Sequence, residues 1–241
     1  MRTLAIGDIH GCLEAFNLLL DVVALRPNDT IITLGDYINK GPQSKGVIDQ
    51  LIALHERGQL VALKGNHELM ILEARKSLEK EFEWLKKYGT STLLSYSNCG
   101  LGATLEDIPP HHWDFLQNIC LDWWETKEHF FVHANIDSHL PLDQQLEDKL
   151  FWAKFVDPQP HYSGKVMICG HTSQKNGLPL NIGHAICLDT WVCGEGWLTC
   201  LDIDSGQIWQ TNQQGKVRTA FIEDFYRDKQ QKLRLSTIKA I

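Results

Sequence analysis

At 241 residues, 43% hydrophobic and 22% charged, the chain has enough apolar side chain for one well-buried core and the make-up of an ordinary globular protein. A net charge of −7 argues against nucleic acid or an anionic membrane as partner, so any phosphate handled here must meet locally gathered positive charge, as metal ions supply it. No run approaches the ~18 apolar residues of a membrane span, and the first apolar stretch runs straight into polar residues, so no signal peptide is expected and the cytoplasm is the simplest location.

In chain order, a strand from Arg2 to Ile6 leads into a helix over Cys12 to Leu25, whose Leu13, Phe16, Leu19, Leu20 and Val23 recur at helical spacing. Pro27-Asn28-Asp29 turns the chain into a strand over Thr30 to Leu34. A helix over Ser44 to Arg57 follows, ended by Gly58, then a strand over Leu60 to Lys64 and a helix over Glu68 to Ser77. This alternation predicts parallel strands joined by crossovers. The segment from Leu78 to Asn118, interrupted by Pro109-Pro110, reads as helices over one edge of the sheet, with Trp84 and Tyr88 as candidates for a substrate-facing wall. Strands follow over Trp123 to Thr126, His129 to His133, Val166 to Cys169, Ala185 to Asp189, Trp197 to Asp202 and Gln207 to Gln210, the last two joined by Asp204-Ser205-Gly206. Trp123, Trp124, Trp152, Trp191 and Trp197 read as core, and His111-His112 as a surface helix start. One domain is expected over residues 1–212. Residues 213–241 read as a polar tail with a weak helix over Phe221 to Lys232. The seven cysteines (12, 99, 120, 169, 187, 193 and 200) include no CxxC pair and read as buried free thiols of a reducing compartment.

The chemistry sits in short polar runs that each follow an apolar run: Gly7-Asp8-Ile9-His10-Gly11, Gly35-Asp36-Tyr37, Gly65-Asn66-His67-Glu68, Val132-His133-Ala134-Asn135 and Cys169-Gly170-His171-Thr172. In open α/β sheets, sites are built at the carboxyl ends of the strands. The runs therefore aim Asp8, His10, Asp36, Asn66, His133 and His171 at what can be one place, with donors enough for two ions. Asp36, having two carboxylate oxygens, is the natural bridge between ions roughly 3.5–4 Å apart. Mixed oxygen and nitrogen donors without thiolate suit manganese, iron, zinc or magnesium and not a structural zinc site. Such a pair acidifies a water and clamps phosphoryl oxygens, so hydrolysis of a phosphate ester by metal-bound hydroxide is the implied reaction. His67, next to Asn66, would protonate the leaving oxygen.

These runs, in this order, resemble the calcineurin-like metallophosphoesterase superfamily, and within it the phosphoprotein phosphatases of the bacterial serine/threonine type. The resemblance spans about residues 1–212. It implies an α/β fold, a central β-sandwich of mixed sheets flanked by helices, with two divalent ions, manganese first among the candidates. It also implies that Asp8, His10 and Asp36 hold one ion and Asp36, Asn66, His133 and His171 the other, with Asn66 and His67 facing the phosphate. Where the family has Val-Asp-Arg-Gly, this chain has Ile38-Asn39-Lys40-Gly41. Asn39 would still accept a hydrogen bond from His67 but carries no charge, and Lys40 offers a point charge in place of a bidentate fork. Lys154 stands where bacterial relatives have a second phosphate-gripping arginine, and Asn135 where a small residue is usual. The first functional reading is a phosphoserine/threonine phosphatase acting on proteins or peptides. A dinucleoside polyphosphate hydrolase is the alternative, and a low-turnover, metal-loaded phosphate-binding regulator is the reading from another class.

Overall fold

The computed structural model describes residues 1–97 and 102–227. Cys99 and the end of the helix expected over Phe221 to Lys232 lie outside the described residues. The strands are β1 (Thr3–Ile6), β2 (Thr30–Thr33), β3 (Leu60–Ala62), β4 (Trp123–Glu125), β5 (His129–Val132), β6 (Val166–Cys169), β7 (Leu180–Asn181), β8 (Ala185–Cys187), β9 (Leu198–Asp202), β10 (Gln207–Thr211) and β11 (Val217–Phe221). They form a six-stranded sheet in the order β11-β10-β9-β1-β2-β3 and a five-stranded sheet in the order β4-β5-β6-β8-β7. The strands β1, β2 and β3 run parallel, as do β5, β6 and β8, with antiparallel partners toward the edges.

Side chains alternate across each strand, so every central strand feeds two cores. Ala5 and Ile32 of the first sheet meet Phe131, Ile168 and Ile186 of the second between the sheets. Their neighbours Leu4, Ile6 and Ile31 face outward into a second core with α1 (Leu13–Val23) and α2 (Ser44–Glu56). Phe130, Val132 and Met167 face a third core built with Leu142, Leu150 and Phe151. Burial on both faces is why these strands read as unbroken apolar runs and not as alternating patterns.

α3 (Asn66–Ala74) begins two residues earlier than expected, because the Glu68 carboxylate reaches back to accept the Gly65 N–H, the half of a capping box that a glycine N-cap allows. α4 (Leu78–Trp84) and α5 (Thr90–Tyr96) are joined by a π-helical turn, Leu85–Gly89; α6 (Pro110–Asp114) follows. His112 departs from the surface reading: it is fully buried between Tyr96 Oη (2.9 Å from Nδ1) and Asp49 Oδ1 (2.9 Å from Nε2). Residues just beyond Asn212, read from sequence as polar tail, include β11, paired with β10 from Thr211↔Val217 to Gln207↔Phe221. Its alternation of half-buried and exposed residues lacks a hydrophobic signal because it is an edge strand. A single turn, Ile222–Phe225, follows it where the weak helix was expected. No described helix is long and apolar enough to cross a membrane, and the described cysteines are all free.

Candidate metal centre

The loops after β1, β2, β3, β5 and β6 converge at one edge of the sandwich and bring all six expected ligands together. Ile9 and His10 donate their backbone N–H groups to Asp36 O (3.1 and 2.8 Å), which locks the first loop onto the second. His171 donates its backbone N–H to both oxygens of Asp8 (3.1 Å each), which ties the two sheets across the site. Two glycines make the approach possible. A Cβ on Gly170 would stand 2.1 Å from Asp8 Oδ1, and one on Gly65 would stand 2.2 Å from Asp36 Oδ1. Eight described residues other than glycine have positive φ, and five of them belong here: His10, Asp36, Asn39, Lys40 and His171. Such backbone strain gathers where surrounding structure over-determines it, which marks this edge as functional.

Hydrogen bonds on the far side of each imidazole decide where its lone pair points. His10 Nδ1 lies 3.0 Å from Ile38 O and His133 Nδ1 2.7 Å from Leu34 O; each ring donates there and turns an unprotonated Nε2 inward. His171 Nε2 lies 3.2 Å from Trp152 O, which leaves Nδ1 inward. Asn66 Oδ1 then sits 3.0 Å from both His133 Nε2 and His171 Nδ1, three acceptor atoms with no proton between them. A cation satisfies that arrangement. The two oxygens of Asp36 divide between the groups, Oδ1 at 3.4 Å from His133 Nε2 and Oδ2 at 3.4 Å from His10 Nε2. Asp8 Oδ2 is 3.9 Å from His10 Nε2.

The donor set fits divalent ions electrostatically as well. Burial lowers all four imidazoles, His133 to about 4 and His171 to about 3, so their lone pairs are available at neutral pH. Burial, then Asp189 and Asp36, holds the Asp8 carboxyl well above its usual range; burial raises Asp36 to about 7 against the opposing charge of Lys40. A cation would relieve this crowding of buried carboxylates. Asp8, His10 and Asp36 would hold one ion, and Asp36, Asn66, His133 and His171 a second. Two of the three close groupings of possible ligand atoms among the described residues lie here, His10–Asp36–His67 and Asp36–His133–His171; the third, Asp49–His111–His112, joins α2 and α6. His67 is not a ligand on our reading, because its inward nitrogen carries the proton, as the contacts of Asn39 show.

Asn39 corrects the sequence expectation. The Thr92 hydroxyl accepts the Asn39 backbone N–H (2.9 Å) and donates to Asn39 Oδ1 (2.8 Å), so the amide turns its Nδ2 toward His67 Nδ1 (2.8 Å). Asn39 therefore donates to His67 instead of accepting from it, and the His67 proton is on Nε2. Lys40 Nζ donates to His10 Nε2 (2.7 Å) and supplies positive charge beside Asp8 and Asp36. Lys154 is exposed, with its backbone carbonyl held by Asn135 Nδ2 (3.0 Å). Tyr88 lies against His67 at 4.7 Å between rings, whereas Trp84, also read as facing substrate, is buried at 3% exposure. Trp152 does not join the core: it is 42% exposed, because Leu150 and Phe151 take the inward positions of its π-helical turn, Asp148–Trp152. Trp124 is exposed as well, on edge strand β4.

Glu68 escaped the sequence reading. Fully buried, it accepts the backbone N–H groups of Asp36 (2.7 Å), Tyr37 (2.8 Å) and Gly65 (2.8 Å) and so fixes the bridging aspartate. Its place three residues after Gly65 was the available signal.

A family model described as calcineurin-like phosphoesterase matches residues 1–175. The chain is 35% identical over 150 residues to the symmetrical bis(5'-nucleosyl)-tetraphosphatase of Pseudomonas fluorescens (strain Pf0-1), covering 61% of this chain and 46% of that one. It is 38% identical over 160 residues to the protein of the same name from Pseudomonas syringae pv. syringae (strain B728a), covering 65% and 53%. The chain thus spans about half the length of these curated relatives. A crystal structure of a protein provisionally described as a diadenosine tetraphosphatase superposes with a TM-score of 0.61 at 22% identity, covering 91% of this chain and 93% of that one. A protein serine/threonine phosphatase from Saccharomyces cerevisiae superposes with a TM-score of 0.55 at 14% identity, covering 94% and 80%. At these identities the two superpositions speak for the fold alone. The family match over most of the chain, on a sandwich whose strand ends gather these ligands, makes this protein a member of the calcineurin-like phosphoesterase family.

Proposed function

We propose that this metallophosphoesterase hydrolyses dinucleoside polyphosphates, with a bis(5'-nucleosyl) tetraphosphate as substrate, and cleaves it at the central anhydride. Water adds its oxygen to one inner phosphorus, the bond to the central bridging oxygen breaks, and that oxygen leaves with the other half, so two nucleoside diphosphates result and, with both new terminal phosphates fully ionised, two protons. Two divalent ions bound by the six ligands would supply Lewis acidity for the phosphoryl oxygens and the attacking water.

The carrying observation is the Asn39–His67 contact. An amide N–H on Nδ1 holds His67 as a neutral ring with Nε2–H inward, a hydrogen-bond donor to a phosphoryl oxygen and a weak acid. Gaining a second proton would require the amide to turn over against Thr92. A serine alkoxide is nearly as basic as hydroxide, whose conjugate acid has a pKa of about 15.7, and its departure needs a strong proton donor. A phosphate oxygen leaves as an anion whose conjugate acid lies at about 6, and needs much less help. Lys40 and Lys154 place positive charge where a polyanionic chain would lie. The names of the Pseudomonas relatives point the same way. The serine/threonine phosphatase reading has the shared fold in its favour but no such contact.

Diadenosine tetraphosphate and a phosphoserine peptide, assayed side by side with manganese, test this. Rapid release of ADP alone from the first and slow turnover of the second is expected. Preference for the peptide, or release of ATP with AMP, overturns it. Asn39→Asp should raise kcat on the phosphopeptide about tenfold and change tetraphosphate turnover by less than twofold. Hydrolysis of either compound removes the binding-regulator reading.

A further inference from the structure

Beside the metal-facing residues lies a cavity of about 410 Å3 walled by Leu69, Met70, Trp84, Lys87, Glu147 and Trp152. The volume falls within the roughly 300–1,000 Å3 of small-molecule sites. It joins the candidate metal centre through two elements. Asn66, Leu69, Met70 and Glu73 fall at i, i+3, i+4 and i+7 of α3, so one helix face runs from a candidate ligand to the cavity floor over about 10 Å. On the opposite side, the Trp152 carbonyl that holds His171 Nε2 belongs to the residue whose indole borders the cavity. A larger groove of about 1080 Å3, around Arg75 and Trp113, lies at the end of α3 far from Asn66.

The cavity's chemistry is selective. Trp152, 42% exposed, offers a flat aromatic face. Trp84 is 3% exposed and closes the wall as apolar surface, its indole N–H buried and not open to the cavity. Glu147 has no cation partner among the described residues and stands ready to accept from an amine. Lys87 also lacks a carboxylate partner among them; its ammonium lies 5.1 Å from the Tyr88 ring, which in turn touches His67. Positive charge thus lies between the cavity and the reacting end of the site. A planar ring with an exocyclic amine, joined to a polyanion leading to the metal-facing side chains, matches these features. We propose that this cavity seats an aminopurine nucleoside, with its base stacked on Trp152, its exocyclic amine donating to Glu147, and its phosphates running past Lys87 toward His67. This assignment rests on the dinucleoside polyphosphate reading and names the base-binding part of that site.

The test compares ADP with inorganic pyrophosphate binding to the manganese-loaded protein by calorimetry, in the wild type, in Trp152→Ala, and in Glu147→Ala, which removes the acceptor. Wild type should bind ADP more tightly than pyrophosphate. Trp152→Ala should cut that ratio roughly tenfold or more, the scale of a lost base–aromatic stack, and Glu147→Ala should cut it several-fold at an unchanged melting temperature. Equal affinity for the two probes in wild type overturns the proposal, as does an unchanged ratio in both variants. ADP binding that depends on Trp152 without tetraphosphate hydrolysis would keep the subsite and remove the reaction; hydrolysis with indifferent variants would do the reverse.

Discussion

Asp8, Asp36, Asn66 and His133, at the floor of the site, are at most 6% exposed, whereas Lys40, Lys154 and Trp152 stand exposed at its rim. Three floor side chains are gripped by backbone from another loop, Asp8 by His171 N–H, Asp36 by His67 N–H and His133 by Leu34 O, while Asn66 Oδ1 meets the His133 and His171 rings. Rim side chains are placed mainly by where their backbone leaves the fold. Such a division confines ion binding to a part of the molecule that cannot move independently, and leaves the choice of phosphate compound to groups that can change without repacking. On that view, a floor substitution should strike the metal, and a rim substitution should strike the substrate.

The largest effect should come from Asp36→Asn, which replaces a bridging oxygen by an amide NH2 that cannot ligate. Turnover should fall on the order of 10³-fold, well beyond the 10–100-fold typical of a supporting group, and manganese titration should show weakened binding at both positions. Full activity with normal metal content would break the division at its centre. Glu68→Gln is next. One acceptor oxygen becomes an N–H facing backbone N–H groups, so metal affinity should drop about 10–100-fold by calorimetry.

Lys40→Met sharpens the comparison, because its two effects have opposite signs. Without the ammonium at 2.7 Å from His10 Nε2, manganese affinity should rise a few-fold while KM for the polyphosphate rises about tenfold. A loss of metal affinity would move Lys40 from rim to floor. The smallest effect on catalysis should follow Asp29→Asn, a buried charge remote from the site. Burial alone would raise the Asp29 carboxyl, but hydrogen bonds from the Arg2 side chain and from the Arg26 and Arg2 backbone hold it at about 2. The pair's contribution is full above the unfolded value of about 4 and drains away as the pH falls toward 2. The variant should lose on the order of 2–3 kcal/mol at neutral pH in urea titrations, with this acid-side dependence removed and kcat unchanged.

Much of the floor was legible before any coordinates, since a buried strand must end, and a glycine followed by an aspartate, histidine or asparagine at that end is a local pattern. The strands β1, β2, β5 and β6 start and stop within a few residues of where apolar runs do. Features that depend on a distant partner were not legible. Asn39 turned out to donate because Thr92, remote in sequence, accepts its N–H and faces its oxygen. β11 is a strand because β10 offers an open edge, not because its own residues ask for one. Trp152 was read as core because it was placed near a strand, yet its turn gave the inward places to Leu150 and Phe151.

By itself the sequence determined which side chains stand at the strand ends and in what order, because strand periodicity and glycine turns are properties of a few neighbouring residues. Only the tertiary structure decided which nitrogen of each histidine faces inward, that Glu68 clamps the bridging aspartate, and that α3 and the Trp152 turn enclose one cavity. Protonation, clamping and enclosure each need atoms from segments far apart in the chain, and only the packed sandwich brings those atoms within hydrogen-bonding reach.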